Sequence, residues 1–93
     1  MNTPKLFLEV LDLYLELDDD EVLRIELING NKIYCVPPDD VFGDSCLIKI
    51  MKRIKKNKTQ TIVIDPNAIV VVCTMSRKTY DLKLQRGELY VWL

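Results

Sequence analysis

The side chains with the most reactive chemistry are three cysteines, and the chain has no histidine. Cys35, Cys46 and Cys73 are far apart and each lies in an apolar stretch, which predicts buried thiols in a reducing compartment. Without histidine the chain lacks the commonest general base, and most zinc sites and histidine-based triads are excluded. The sequence also has no glycine-rich phosphate loop. We therefore expect neither an enzyme nor a bound cofactor or metal.

Charge is unevenly distributed along the chain, although the formal net charge is only −1. Eight of the 14 acids lie between residues 9 and 26, and no acidic cluster has the ligand spacing of an EF-hand. Six of the 13 bases lie within ten residues that contain no acid, namely Lys49, Lys52, Arg53, Lys55, Lys56 and Lys58. Such a basic run can lie along RNA phosphates. The alternative is a solvated hairpin tip.

A β-hairpin over residues 23–35 is the clearest local element. Its first half alternates apolar and polar residues, the period of a strand with one buried face. Asn29 and Gly30 favour a two-residue primed turn, because both residue types reach positive φ at low cost. The second strand must end or bend at Pro37 and Pro38, because proline donates no backbone hydrogen bond.

A helix is predicted over residues 4–17, with Thr3 as its N-cap and Pro4 at its first position. Its polar residues recur every three or four positions, which leaves a narrow polar stripe and a wide apolar face. One small sheet cannot cover so wide an apolar face. The surplus predicts burial against a neighbouring subunit.

The rest of the chain is predicted to form strands. Residues 46–54 are assigned to a strand, although their apolar spacing also fits a helix, and residues 59–64 form the next strand. Residues 68–74 are apolar on both faces, which predicts a strand buried on both sides. Residues 76–93 are predicted to form a C-terminal β-hairpin that turns at Arg86 and Gly87.

The length of 93 residues predicts one domain over residues 1–93. No run approaches the roughly 20 apolar residues of a membrane span. Glu9 and Asp12 interrupt the apolar N-terminal stretch, so we predict no signal peptide. The expectation is a cytoplasmic protein without a membrane partner.

Two short stretches resemble the paired motifs of the Sm-like family, which includes the bacterial Hfq-type proteins. Residues 27–33 (LINGNKI) resemble the first motif, and residues 64–70 (IDPNAIV) resemble the second in place and spacing. The chain is most similar to divergent bacteriophage members. The resemblance implies a mainly β fold with one N-terminal helix and a small, strongly bent five-stranded antiparallel barrel, SH3-like, over residues 22–74. The C-terminal hairpin would extend this barrel.

The resemblance also implies a closed homo-oligomeric ring of about five to seven subunits. In such a ring, residues 59–64 of one subunit would pair with residues 68–74 of the next. The residues expected at this interface are Ile62, Ile64, Ile69, Val70, Val71 and Val72.

Single-stranded RNA is the partner that the resemblance implies. The family places basic residues at its second motif, where this chain has Asp65 and Pro66. RNA would therefore contact the basic run, with Phe42 stacking on a base and Asn67 bonding to a base edge. The candidate RNA-binding residues are Lys49, Lys52, Arg53, Lys55, Lys56, Lys58, Phe42 and Asn67. The alternative function is a structural or protein-interaction ring that has lost RNA binding.

Overall fold

A computed structural model describes residues 5–37, 39–44, 47–55 and 58–87 of the chain. These residues form two α-helices, six β-strands and one short 3₁₀ helix. In chain order the elements are α1 (Lys5–Leu15), β1 (Glu21–Leu27), β2 (Lys32–Cys35), β3 (Asp40–Asp44), β4 (Leu47–Lys55), β5 (Lys58–Ile64), the 3₁₀ helix (Pro66–Ala68), β6 (Ile69–Ser76) and α2 (Arg77–Gln85). The protein is thus mainly β.

The strands form two antiparallel three-stranded sheets. Sheet A has the order β2-β1-β6, and sheet B has the order β3-β4-β5. The inward-facing side chains of both sheets meet in one hydrophobic core, because alternate residues of each strand point to the same face. The core residues that are almost fully buried include Leu23, Ile25, Ile33, Ile48 and Ile50.

Helix α1 packs onto this core between the sheets. Val10 is completely buried, and Phe7, Leu11 and Tyr14 pack around it. The predicted N-cap Thr3 and the residue Pro4 lie outside the described residues. The helical periodicity is confirmed over Lys5–Leu15, and it directs one apolar side of the helix inward.

The β1–β2 hairpin has a longer turn than predicted. Glu26 pairs with Lys32, and the Leu27 amide donates to the Asn31 carbonyl at 2.8 Å, so three residues rather than two form the loop. Gly30 has φ +89°, the left-handed conformation that follows a type I turn in three-residue hairpin loops. The glycine was therefore identified correctly and the turn type was not.

The predicted five-stranded barrel is wrong. The described strands number six and form two separate sheets, neither of which closes. Sheet B ends at β5 and sheet A ends at β6, and the 3₁₀ helix carries the chain from one sheet to the other without pairing these strands. The predicted barrel would need one bent strand in this region. The turn at Pro37 instead divides the region into two strands, β2 and β3.

The predicted C-terminal hairpin is also wrong, because residues 77–85 form helix α2. Ser76 caps this helix by accepting a hydrogen bond from the Thr79 amide at 3.1 Å. Gly87, at φ +71°, follows its end. The proposed return strand after Gly87 lies outside the described residues.

Both described α-helices are short. Neither α1 nor α2 is long and apolar enough to cross a bilayer.

Candidate functional site: the outer face and free edge of sheet B

The predicted basic run is divided between the two faces of sheet B. In β4, Ile48 and Ile50 are buried against the core, so Lys52, two residues further, also faces inward. Lys49 and Arg53 occupy the opposite, outer face, and Arg53 is exposed. Lys58, at the start of β5, is exposed as well. The side chain of Lys55 and the whole of Lys56 lie outside the description.

Lys52 takes part in a buried ion pair. Its ammonium lies 3.2 Å from Oδ2 of Asp39, and the two side chains are only 11% and 7% exposed. The ammonium also donates to the Tyr34 carbonyl of sheet A. This bonding holds Lys52 beneath the surface on which Lys49 and Arg53 lie.

Asp39 connects the two sheets. Its Oδ2 accepts from the Val36 amide at 3.0 Å, and its Oδ1 accepts from the Arg53 amide at 3.2 Å. Val36 follows β2 of sheet A, and Arg53 belongs to β4 of sheet B. The carboxylate thus satisfies groups from both sheets, as a buried charge must. We call Asp39 and Lys52 the intersheet ion pair.

An apolar and basic surface covers the outer face of sheet B. Phe42 of β3 is paired across the sheet with Lys49 of β4, which is paired with Val63 of β5. Phe42 is 49% exposed and Val63 is 55% exposed. Leu47, Met51 and Arg53 share this face through the alternation along β4. We call this set of six residues the sheet B surface.

Asn67 lies outside the sheet B surface. It belongs to the 3₁₀ helix beyond the end of β5, and its backbone amide donates to Oδ1 of Asp65 at 2.9 Å. The carbonyl of the neighbouring Ala68 accepts from the Ile28 amide at 2.7 Å, which fixes the 3₁₀ helix against the β1–β2 turn. The side chain of Asn67 is exposed, but it is not brought into one pocket with Phe42.

The residues predicted at the subunit interface divide into three groups. Ile62, Ile64 and Ile69 are buried in the core of the single chain. Val72 is half-buried against the same core. Val70 and Val71 are 47% and 37% exposed, so β6 is not buried on both sides within one chain. Val70 is the extra residue of a bulge, since Glu26 pairs with Val71 and Leu27 pairs with Ile69.

The described thiols do not form a reactive site. Burial raises the pKa of Cys35 to about 12, so this thiol is neutral at physiological pH and is a poor nucleophile. Sγ of Cys73 accepts a hydrogen bond from Nη1 of Arg24 at 3.5 Å, and this hydrogen bond raises the pKa of Arg24. The third cysteine, Cys46, lies outside the described residues. The described residues also contain no group of three or more potential metal ligands.

Comparison of the chain with protein-family models, curated proteins and solved structures finds no significant match. The Sm-like resemblance therefore stays a prediction from residues 27–33 and 64–70. The candidate RNA-binding set from the sequence does not include Leu47, Met51 and Val63 of the sheet B surface, and Asp39 was not predicted as the partner of Lys52. The alternation within β4 was the signal for Lys52, because the same alternation places Ile48 and Ile50 inward.

Proposed function

We propose that this protein is a self-assembling structural module whose copies join edge to edge. The observation that carries this proposal is the position of β5 and β6. In the described part of the chain each of them has a neighbour on one side only. Edge strands present unpaired amides and carbonyls, and pairing with another chain satisfies them. The exposed Val63 and Val71 make these two strands apolar as well as unpaired.

In the proposed contact, β5 of one subunit pairs with β6 of the next. The bulge at Val70 disturbs only the beginning of β6, which leaves residues 71–76 regular. Because the two edges are different surfaces, the contact is heterologous and repeats from subunit to subunit until it closes. A closed ring of about five to seven subunits, used in assembly or as an adaptor, is the form that we propose. Its location would be cytoplasmic, consistent with the free thiols of Cys35 and Cys73.

The test is the native mass at micromolar concentration, measured by sedimentation for the unmodified chain and two lysine variants. Val71→Lys puts a charge at the proposed contact and should dissociate the ring. Ile28→Lys is the matched control, because Ile28 is 74% exposed but lies in the β1–β2 turn. The control should keep the ring. A monomeric unmodified chain would exclude the proposal.

Binding of single-stranded RNA is a second candidate function, and the sheet B surface favours it. Phe42 offers an exposed ring for base stacking, and Lys49 and Arg53 provide cations on the same face. Stacking and phosphate contacts together are how exposed sheets bind single strands. Placement of Lys52 in the intersheet ion pair reduces the number of cations for this purpose, which is why we rank RNA binding second.

The RNA hypothesis is tested with fluorescent oligo-U and oligo-A at two salt concentrations. Arg53→Glu should weaken binding to both sequences and flatten the salt dependence by about one unit of slope. Phe42→Ala should weaken binding without changing that slope. Lys32→Glu, on β2 of sheet A, is the control for a charge change away from sheet B. If the unmodified chain binds neither oligonucleotide at low salt, the structural module remains the only supported function.

A further inference from the structure

The outward side of α1 combines leucines with acids. Leu8 is 54% exposed and Leu15 is 79% exposed. They lie seven residues apart, which places them on one side of the helix about 10 Å from each other. Glu9, Asp12 and Glu16 are exposed around them. This leucine and acid surface is opposite to the side on which Val10 enters the core.

The outward side of α2 has the complementary composition. Leu82 is 42% exposed and lies four residues from both Lys78 and Arg86, which places all three on one side of the helix. Lys83 is exposed next to Leu82. The single acid of the helix, Asp81, forms an ion pair with Arg77 at 3.5 Å. The exposed face of α2 is therefore basic with a leucine at its centre.

The two helices cover opposite faces of sheet A. Helix α1 packs on the inner core with Leu23 and Ile25. Helix α2 packs through Tyr80 on Val22 and Tyr34, which point to the outer face. Sheet A therefore stands between the helices, and the outward sides of both point away from it. The two complementary faces cannot meet within one chain.

We propose that the leucine and acid face of α1 binds the leucine and base face of α2 in a second copy of the chain. Leu82 of one copy would lie between Leu8 and Leu15 of the other. Lys78 and Lys83 would then lie near Asp12 and Glu16. Lys78 is four residues from Leu82 and Asp12 is four residues from Leu8, so both pairs have the same spacing of about 6 Å along their helices. The occupant is identified by charge complementarity: an acidic apolar face needs a basic apolar partner, and this chain carries one.

The contact is separate from pairing of β5 with β6. It uses neither of these strands, and it goes beyond the proposed function by adding a second interface between copies. Two short helices bury less area than a standard protein interface, so the contact should be weak alone. Its exposed charges also make it sensitive to salt, because screening is strong at high ionic strength.

The experiment is sedimentation of charge-reversed variants at about 0.1 M and about 1 M salt. The first variant is Asp12→Lys with Glu16→Lys, and the second is Lys78→Glu with Lys83→Glu. At low salt each variant alone should have at most about half the assembly mass of the unmodified chain. An equimolar mixture of the two variants should regain the lost mass, because each then offers the opposite charge to the other.

The matched control replaces Asp18 and Asp19 by lysine. These exposed acids follow α1, and their replacement alters the net charge as much as the first variant does. The control should keep the mass of the unmodified chain. A reduced mass of the control, an unchanged mass in both reversed variants, or a failure of the two reversed variants to associate when mixed would each overturn the proposal.

A Val71→Lys background separates this contact from edge pairing. In this background the edge contact is removed, and salt-sensitive association through the helices should persist. The same charge reversals should abolish the remaining association. Failure of edge pairing with retention of salt-sensitive association would thus reject the proposed ring and support the helix contact. Loss of all salt-sensitive association in this background would reject the helix contact.

Discussion

The two sheets of this protein differ in what covers their outer faces. On sheet A, helix α2 covers the surface, and the Tyr80 ring lies 5.4 Å from the Tyr34 ring. Both tyrosines are about 5% exposed. On sheet B, Phe42 and Val63 occupy the equivalent outward positions and are about half exposed. Burial of an aromatic side chain stabilises a fold by a few kcal/mol, and sheet B gains little of this on its outer face.

The difference in coverage shows which sheet offers an exposed apolar surface to a partner. Helix α2 covers the outer face of sheet A within one chain, whereas sheet B leaves an apolar and basic surface exposed. Exposed apolar patches on soluble proteins commonly mark binding surfaces. The intersheet ion pair connects the covered sheet A to the open sheet B. Substitutions in this pair therefore act on both sheets.

Removing Asp39 should have the largest effect, because it breaks the connection between the sheets. Asp39→Ala leaves the Lys52 ammonium buried without its carboxylate, and it leaves the Val36 and Arg53 amides without their acceptor. The free energy of unfolding should fall by about 3–5 kcal/mol, measured by urea denaturation. Asp39→Ala combined with Lys52→Met should recover part of this loss. A loss below about 1 kcal/mol would show that the ion pair does not hold the sheets.

Truncating one aromatic residue on each outer face tests the comparison directly. Tyr80→Ala should destabilise the protein by about 3 kcal/mol, because it removes a buried ring from between α2 and sheet A. Phe42→Ala should change stability by no more than about 0.5 kcal/mol, because half of that side chain is already exposed. Thermal unfolding measures both. Equal losses would mean that sheet B is covered in solution.

The glycines of the two sheets should resist substitution for different reasons. Gly30, in the sheet A turn, has open space around it but φ +89°, so Gly30→Val should cost about 1–2 kcal/mol through backbone strain. Gly43, in sheet B, would place a Cβ 2.8 Å from side-chain atoms of Leu11 and Phe7. Asparagine tolerates left-handed φ, so Gly30→Asn should retain more stability than Gly30→Val in urea denaturation. Gly43→Asn should be worse than Gly43→Ala, since crowding grows with size.

A pH dependence of stability should originate in sheet A. The pKa of Cys35 is raised by burial from 9.0 to about 12 in the folded protein. Below about pH 9 the thiol is neutral in both states, so its contribution is complete. Between about pH 9 and 12 the unfolded chain loses the proton and the folded chain keeps it, so stability falls as pH rises, by up to about 1.4 kcal/mol per pH unit.

Urea denaturation at about pH 8 and pH 10 measures this dependence. Cys35→Ala should reduce the fall in stability between the two pH values, whatever it does to stability at the lower pH. If Cys35→Ala and the unmodified chain lose the same stability, the thiol is not protected by burial.

Local patterns predicted most of the strands. The alternation along β4 puts Ile48 and Ile50 on one face, that along β5 does the same for Ile62 and Ile64, and all four residues are buried. The strand assignment of residues 46–54 was confirmed over Leu47–Lys55 against the competing helical spacing. Between β5 and β6 the chain forms a 3₁₀ helix at Pro66–Ala68. These features depend on neighbours in sequence, which is why the sequence reports them.

Features that depend on distant residues were missed. The alternation of Tyr80, Leu82 and Leu84 suggested a strand, but the N-cap Ser76 and the helix-ending Gly87 were the stronger signals. Sheet closure depends on whether β5 meets β6, which no local spacing specifies. The partner of Lys52 is 13 residues away in a turn, so the sequence showed an acid and a base without showing that they meet.

The pairing of β1 with β6 also has a consequence for the order of folding. Arg24 and Cys73 are partners although they are 49 residues apart, whereas the strands of sheet B are consecutive hairpins. Loop closure makes distant pairing slower than local pairing. We expect β4 and β5 amides to gain protection before β1 and β6 amides in pulsed hydrogen exchange, and simultaneous protection would contradict this order. During synthesis on the ribosome, α1, β1 and β2 emerge before sheet B, and sheet A would lack its third strand until β6 follows.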